Sequence, residues 1–171
     1  MKYVKVLLLI LSVLFLFTLA YAIHEDAPPT KEQQKQVLLP GARAEELHEY
    51  ITKQIQYTKW DLWPRKGKLY KGTEPHGALL TTYVNDTAYD SIKKKKGMAD
   101  GSIIVKENYT ADKKLVALTV MYKIKGYNPE AGDWFWAKYL PDGKIEASGK
   151  VKGCIECHGK KKDNDYIFTG E

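Results

Sequence analysis

The chain's only two cysteines, Cys154 and Cys157, stand three apart with His158 directly after the second, and the 171-residue sequence ends 14 residues after Cys157. C-x-x-C-H is the attachment signature of a c-type haem. Two thiols at that spacing add across the two vinyl groups of one porphyrin, and the adjacent imidazole falls under the iron as proximal ligand. The position of the motif constrains the fold. A thioredoxin-like dithiol opens a helix early in a βαβ unit, with most of the sheet still to follow, and 14 residues are too few for that sheet. A structural zinc takes about four ligands, and only His24, His48 and His76 remain to join the motif. A plain disulfide is the third rival. Covalent haem is the preferred reading.

The other end of the chain reads as an export signal, which suits a haem attached outside the cytoplasm. Lys2 and Lys5 form a positive start, residues 6–19 are apolar apart from Ser12 and Thr18, and Ala20-Tyr21-Ala22 is a small-x-small cleavage site. Cleavage after Ala22 leaves a periplasmic protein; uncleaved, the same domain hangs from the membrane by an apolar run short for a full span. Removing residues 1–22 takes two lysines and no acids, so the net charge of +6 falls to +4. What remains has the size of one domain. The positive charge gathers in the lysine runs 93–96, 113–114 and 160–162. In an exported protein such short runs read as solvated turns and helix ends, not as a nucleic-acid surface. A basic rim of this kind also steers an acidic redox partner.

Along the chain, residues 23–41 form a polar, proline-bearing arm. Residues 42–56 have Leu47, Tyr50, Ile51 and Ile55 at helical spacing and acids near the start, where the helix dipole favours them. Residues 60–72 read as a loop carrying two tryptophans. The period then changes to that of strands, over residues 79–84, 102–109, 115–124, 133–139 and 144–147. Asp86 is placed to cap a short helix over 87–95 that ends at Gly97. Pro141-Asp142-Gly143 is a turn, and the Cys154–His158 motif opens a final short helix. Helix first, antiparallel sheet next and the haem motif last make an α+β domain. The organisation is a signal peptide over 1–22, an arm and helix over 23–59, and a haem domain over 60–171.

This order resembles the cytochrome P-460 and cytochrome c′-beta superfamily. The matching segments run in sequence: Pro75-His76-Gly77, Tyr83-Val84-Asn85, Asp100-Gly101-Ser102 leading into Val105-Lys106-Glu107, Met121-x-Lys123, Gly126-Tyr127-Asn128-Pro129-Glu130, Asp133-Trp134, and Cys154-x-x-Cys157-His158. They span roughly residues 60–168. The resemblance implies a mainly antiparallel β domain that dimerises through its sheet. It implies one haem c with His158 proximal and the opposite side of the iron open. In the P-460 branch a lysine is also bonded to the porphyrin edge, and members oxidise hydroxylamine and pass electrons to a soluble cytochrome. The c′-beta branch binds nitric oxide or carbon monoxide instead.

Lys106 sits where the family carries its cross-linking lysine, and alternation puts it on the face opposite Val105 and Glu107. Without the resemblance it reads as a solvent-facing lysine. Hydroxylamine-oxidising members carry a carboxylate on the strand matching residues 115–124, as proton removal requires. Here that strand holds Leu118, Thr119 and Met121 and no acid. Glu107, or Glu130, is the substitute proton acceptor. Met121 offers a thioether as sixth ligand, which would make a closed electron-transfer haem; the plainer reading is a core methionine. Met98 is a weaker candidate of the same kind. His76 reads as a structural or propionate contact, His48 as exposed, and the 134–139 aromatics as core. The sequence thus points to an exported c-type mono-haem protein that oxidises hydroxylamine or binds nitric oxide at an open iron. The alternative is a non-enzymatic gas binder or a His/Met electron carrier.

Overall fold

The structure, a computed structural model, describes residues 38–168. The expected export signal, His24 and most of the arm lie outside the described residues. Among those described, seven strands form one antiparallel sheet: β1 (Asp61–Leu62), β2 (Tyr70–Lys71), β3 (Leu79–Val84), β4 (Ile103–Tyr109), β5 (Leu115–Lys123), β6 (Trp134–Tyr139) and β7 (Ile145–Gly149). From β3 to β7 the order in space is the order in sequence, and β1 and β2 both pair along the outer edge of β3. The domain is α+β, as expected. The two edge strands fall inside the stretch read as a loop; at two residues each they are too short to show alternation.

Alternation sorts the sheet's side chains into two cores. Tyr83, Val105, Val120, Phe135 and Tyr139 face one way and pack with Ala44, Leu47 and Ile51 of helix α1 (Ala44–Glu49). A single π turn, Tyr50–Gln54, continues α1 and keeps Tyr50 and Ile51 on the buried side. The Tyr139 hydroxyl donates to the Ala44 carbonyl at 2.8 Å and fastens the helix to β6. His48, on α1, is half-buried rather than exposed, its ring 4.8 Å from that of Tyr139.

Val84, Ile104, Met121, Trp134 and Trp136 face the other way, toward helix α2 (Asp86–Lys94), helix α3 (Lys152–His158) and the C-terminal turn. The cap of α2 is Asn85, not Asp86. The Asn85 Oδ1 accepts from Ala88 N and from Ile103 N, both at 3.0 Å, while its amide donates to the Gly101 carbonyl at 2.9 Å. One side chain therefore starts the helix and ties it to β4. Lys95, not Gly97, takes the left-handed position that ends α2.

Candidate cofactor site

Helix α3 puts Cys154 and Cys157 one turn apart on the same side, both as free thiols, and ends on His158. The chain then turns through Gly159–Asn164 and comes back so that the Tyr166 carbonyl lies 2.7 Å from His158 Nδ1. A carbonyl only accepts, so Nδ1 carries the proton and Nε2 keeps its lone pair. Metal-bound imidazoles are commonly oriented by such a backbone acceptor on the other nitrogen. The ring is buried and packs against Trp136 at 4.7 Å and Phe168 at 5.2 Å between centroids. Burial holds the His158 imidazole below its ordinary pKa, partly offset by the Tyr166 carbonyl. Burial also pushes the Cys154 thiol up, and the neighbouring Cys157 adds to this.

A cavity of about 320 Å³ opens on this face of the sheet, lined among others by Ile104, Lys106, Met121, His158, Ile167 and Phe168. Three of the residues singled out from the sequence, Lys106, Met121 and His158, thus share one cavity. Lys106 is half-buried, and burial lowers its amine to about 8, with Cys157 pulling the other way. Met121 is nearly buried between Ile104 and Trp136 in the sheet register. His76 stands beside the motif, its ring 6.1 Å from that of His158. Its Nδ1 meets Asn108 Oδ1 at 3.2 Å and Thr119 Oγ1 at 3.4 Å. Burial, then the charges of Lys106 and His158, press the His76 imidazole down to about 4. Asn108 donates its own amide to the Lys106 and Ala117 carbonyls, which leaves its Oδ1 to accept from His76.

Other expectations are corrected. Glu107 lies on the opposite face of β4, in the α1 core, where Tyr57 and Tyr109 donate to its two oxygens at 2.9 and 2.7 Å. It is removed from the cavity by the alternation that brings Lys106 in, and it does not serve as proton acceptor there. Glu130 is exposed, and only its carbonyl is engaged, by the Tyr166 hydroxyl. Met98 lines a second cavity of about 470 Å³ bordered by α2 and is not among the residues lining the cavity that holds His158. Among the described residues lining the His158 cavity there is no carboxylate. Sequence reasoning missed Asn108 and Thr119 as partners of His76. Asn108 was within reach, since it stands two residues from Lys106 on the same strand face.

Two free thiols one turn apart, an imidazole with Nε2 unprotonated and a largely apolar cavity beside them form a donor set that a covalently held haem fits. The sequence profile of the family described as Cytochrome P460 matches residues 56–169, a span that begins just after the π turn that follows α1. The chain belongs to the Cytochrome P460 family. It is therefore a c-type haem protein of the cytochrome P460 type, and the matched span contains the whole sheet and α3. No curated protein matches the sequence.

Proposed function

We propose that the protein is an exported mono-haem cytochrome P460 that binds a small nitrogen ligand, nitric oxide first, at an open haem face. Cys154 and Cys157 would hold the haem covalently, each thiol adding to one vinyl group with its proton passing to the other vinyl carbon. His158 would bind the iron through Nε2, since the Tyr166 carbonyl holds the imidazole in the tautomer that leaves that nitrogen free. When bound, the haem supplies the iron and its redox chemistry; the chain supplies attachment, orientation and exclusion of water. Met121 is read as core filling rather than as a sixth ligand: it is nearly buried at the cavity wall, with Ile104 and Trp136 beside it on the same sheet face. The observation that carries the reading is a cavity shared by His158, Lys106 and Met121 whose described lining has no carboxylate. A ligand that needs no proton removed suits such a lining.

A second reading is hydroxylamine oxidation, with electrons passed to a soluble cytochrome. Lys106 favours it: a half-buried amine lowered to about 8 lines the cavity as the family's cross-linking lysine would. Bonding that amine to the porphyrin edge removes two electrons and two protons, so it needs an external two-electron oxidant. The reading still lacks a carboxylate base. A homodimer formed through the sheet and a periplasmic location belong to the same proposal.

The test is the ferrous absorption spectrum of protein purified from a host that attaches c-type haem, followed by nitric oxide titration and a hydroxylamine assay. An ordinary c-type spectrum, tight nitric oxide binding and no turnover are expected. A strongly red-shifted Soret band with hydroxylamine turnover would move the assignment to the oxidase. Failure to attach haem under competent maturation would overturn both.

A further inference from the structure

We infer that the Lys123–Asp165 ion pair is a positioning device for His158, holding the Tyr166 carbonyl that orients the imidazole. The inference rests on the reading of His158 as the haem ligand. Asp165 and Tyr166 both adopt left-handed backbone conformations, with φ of 52° and 66°. Two successive non-glycine residues keep such angles only where their surroundings hold them.

Those surroundings are specific. The Asp165 carboxylate takes the Lys123 ammonium on Oδ1 at 2.5 Å and the Met98 N–H on Oδ2 at 2.7 Å. The Asp165 carbonyl accepts from Trp134 Nε1 at 3.0 Å. The Lys123 ammonium lies 5.0 Å from the centre of the Trp134 ring, so cation and indole brace the same turn. Both side chains of the pair are largely shielded, at 15% and 17% exposure, so the attraction is screened less than at an open surface. On the far side the Tyr166 ring lies against Gly132, where an added Cβ would stand 2.8 Å from two ring carbons.

The turn is thus clamped to the last residue of β5, the first residue of β6 and the segment after α2. Only one of its groups, the Tyr166 carbonyl, reaches His158. The strength of that hydrogen bond sets how much negative character the imidazole carries, and with it how firmly the ferric state is favoured. Lys123 and Asp165 do not touch the cavity; they act through the peptide between Asp165 and Ile167.

The experiment compares haem-loaded wild type, Lys123→Met, Asp165→Asn and Asp165→Gly by resonance Raman of the iron–histidine stretch and by reduction potential. Lys152→Met, which breaks the exposed Lys152–Glu156 pair on α3, is the control. All three clamp variants are expected to shift the stretch to lower frequency and raise the potential, while the control leaves both at wild-type values. Asp165→Gly separates the roles of the carboxylate and the backbone: glycine tolerates the left-handed angle, so a shift there comes from loss of the carboxylate. Lys123→Met leaves the turn's own sequence intact and stands as the second route should an Asp165 variant fold poorly. Wild-type stretch and potential in the clamp variants would overturn the inference and leave the haem assignment standing. A wild-type chain without attached haem would overturn both.

Discussion

Lys106 and Glu107 are neighbours in sequence and lie on opposite faces of β4, and their energetics differ accordingly. Glu107 is a buried carboxylate made tolerable by two tyrosine hydroxyls, which is what burial of a charge requires. Both tyrosines are pushed up, Tyr57 mainly by burial and then by Glu107, and Tyr109 by burial followed by its hydrogen bond to Glu107. Glu107→Gln replaces a charged acceptor with a neutral one and should cost about 1–3 kcal/mol in urea denaturation, while nitric oxide affinity stays at the wild-type value. Loss of ligand binding without loss of stability would put Glu107 back at the site. Lys106 is disfavoured as a cation before the cavity is filled. Its folded pKa of about 8 lies below the ordinary 10.5, so the penalty is complete below pH 8, shrinks from pH 8 to 10.5 and is gone above. In the haem-free chain Lys106→Met should therefore raise the melting temperature at pH 7 and lose that advantage as pH rises through the same window. An advantage independent of pH would contradict the burial argument.

At the scale of elements, the junction between β3, α2 and β4 hangs on Asn85. Its side chain serves three backbone groups at once. Asn85→Ala removes a helix cap and leaves the Ile103 N–H and Gly101 carbonyl without their partner. A loss of about 2–3 kcal/mol is expected from the cap and the orphaned groups together, read as an earlier denaturant midpoint with unchanged slope. Met121 offers a second check on β5. If it packs rather than ligates, Met121→Leu keeps the spectrum and nitric oxide affinity of the wild type at a cost below about 1.5 kcal/mol. A changed ferric spectrum would make the sulfur an iron ligand. The strands were readable because β4 opens on the β-branched run Ile103-Ile104-Val105 and β5 is apolar or β-branched from Leu115 to Tyr122. The cap was misplaced by one residue because Asn and Asp stand side by side at the start of α2 and both have capping side chains.

For the molecule as a whole, the basic character is displayed outward. Lys93 to Lys96 and Lys160 to Lys162 are exposed on segments that flank the haem-bearing face. An anionic electron acceptor should be steered to that face, so the rate of electron transfer to an acidic cytochrome is expected to fall about tenfold or more from low to high ionic strength. A rate indifferent to salt would exclude steering. The Cys154–His158 motif and the α+β order were legible from sequence alone, since the first is a contiguous spacing and the second a matter of local periodicity. Parity on β4 was legible too, and it already separated Lys106 from Glu107; which of the two faces the haem depends on where α1 and α3 dock. The tertiary structure alone decided the partners of the imidazoles. His76 meets Thr119 across 43 residues and Lys123 meets Asp165 across 42. Such pairs leave no periodic trace, because their side chains meet only once the sheet has brought distant strands side by side.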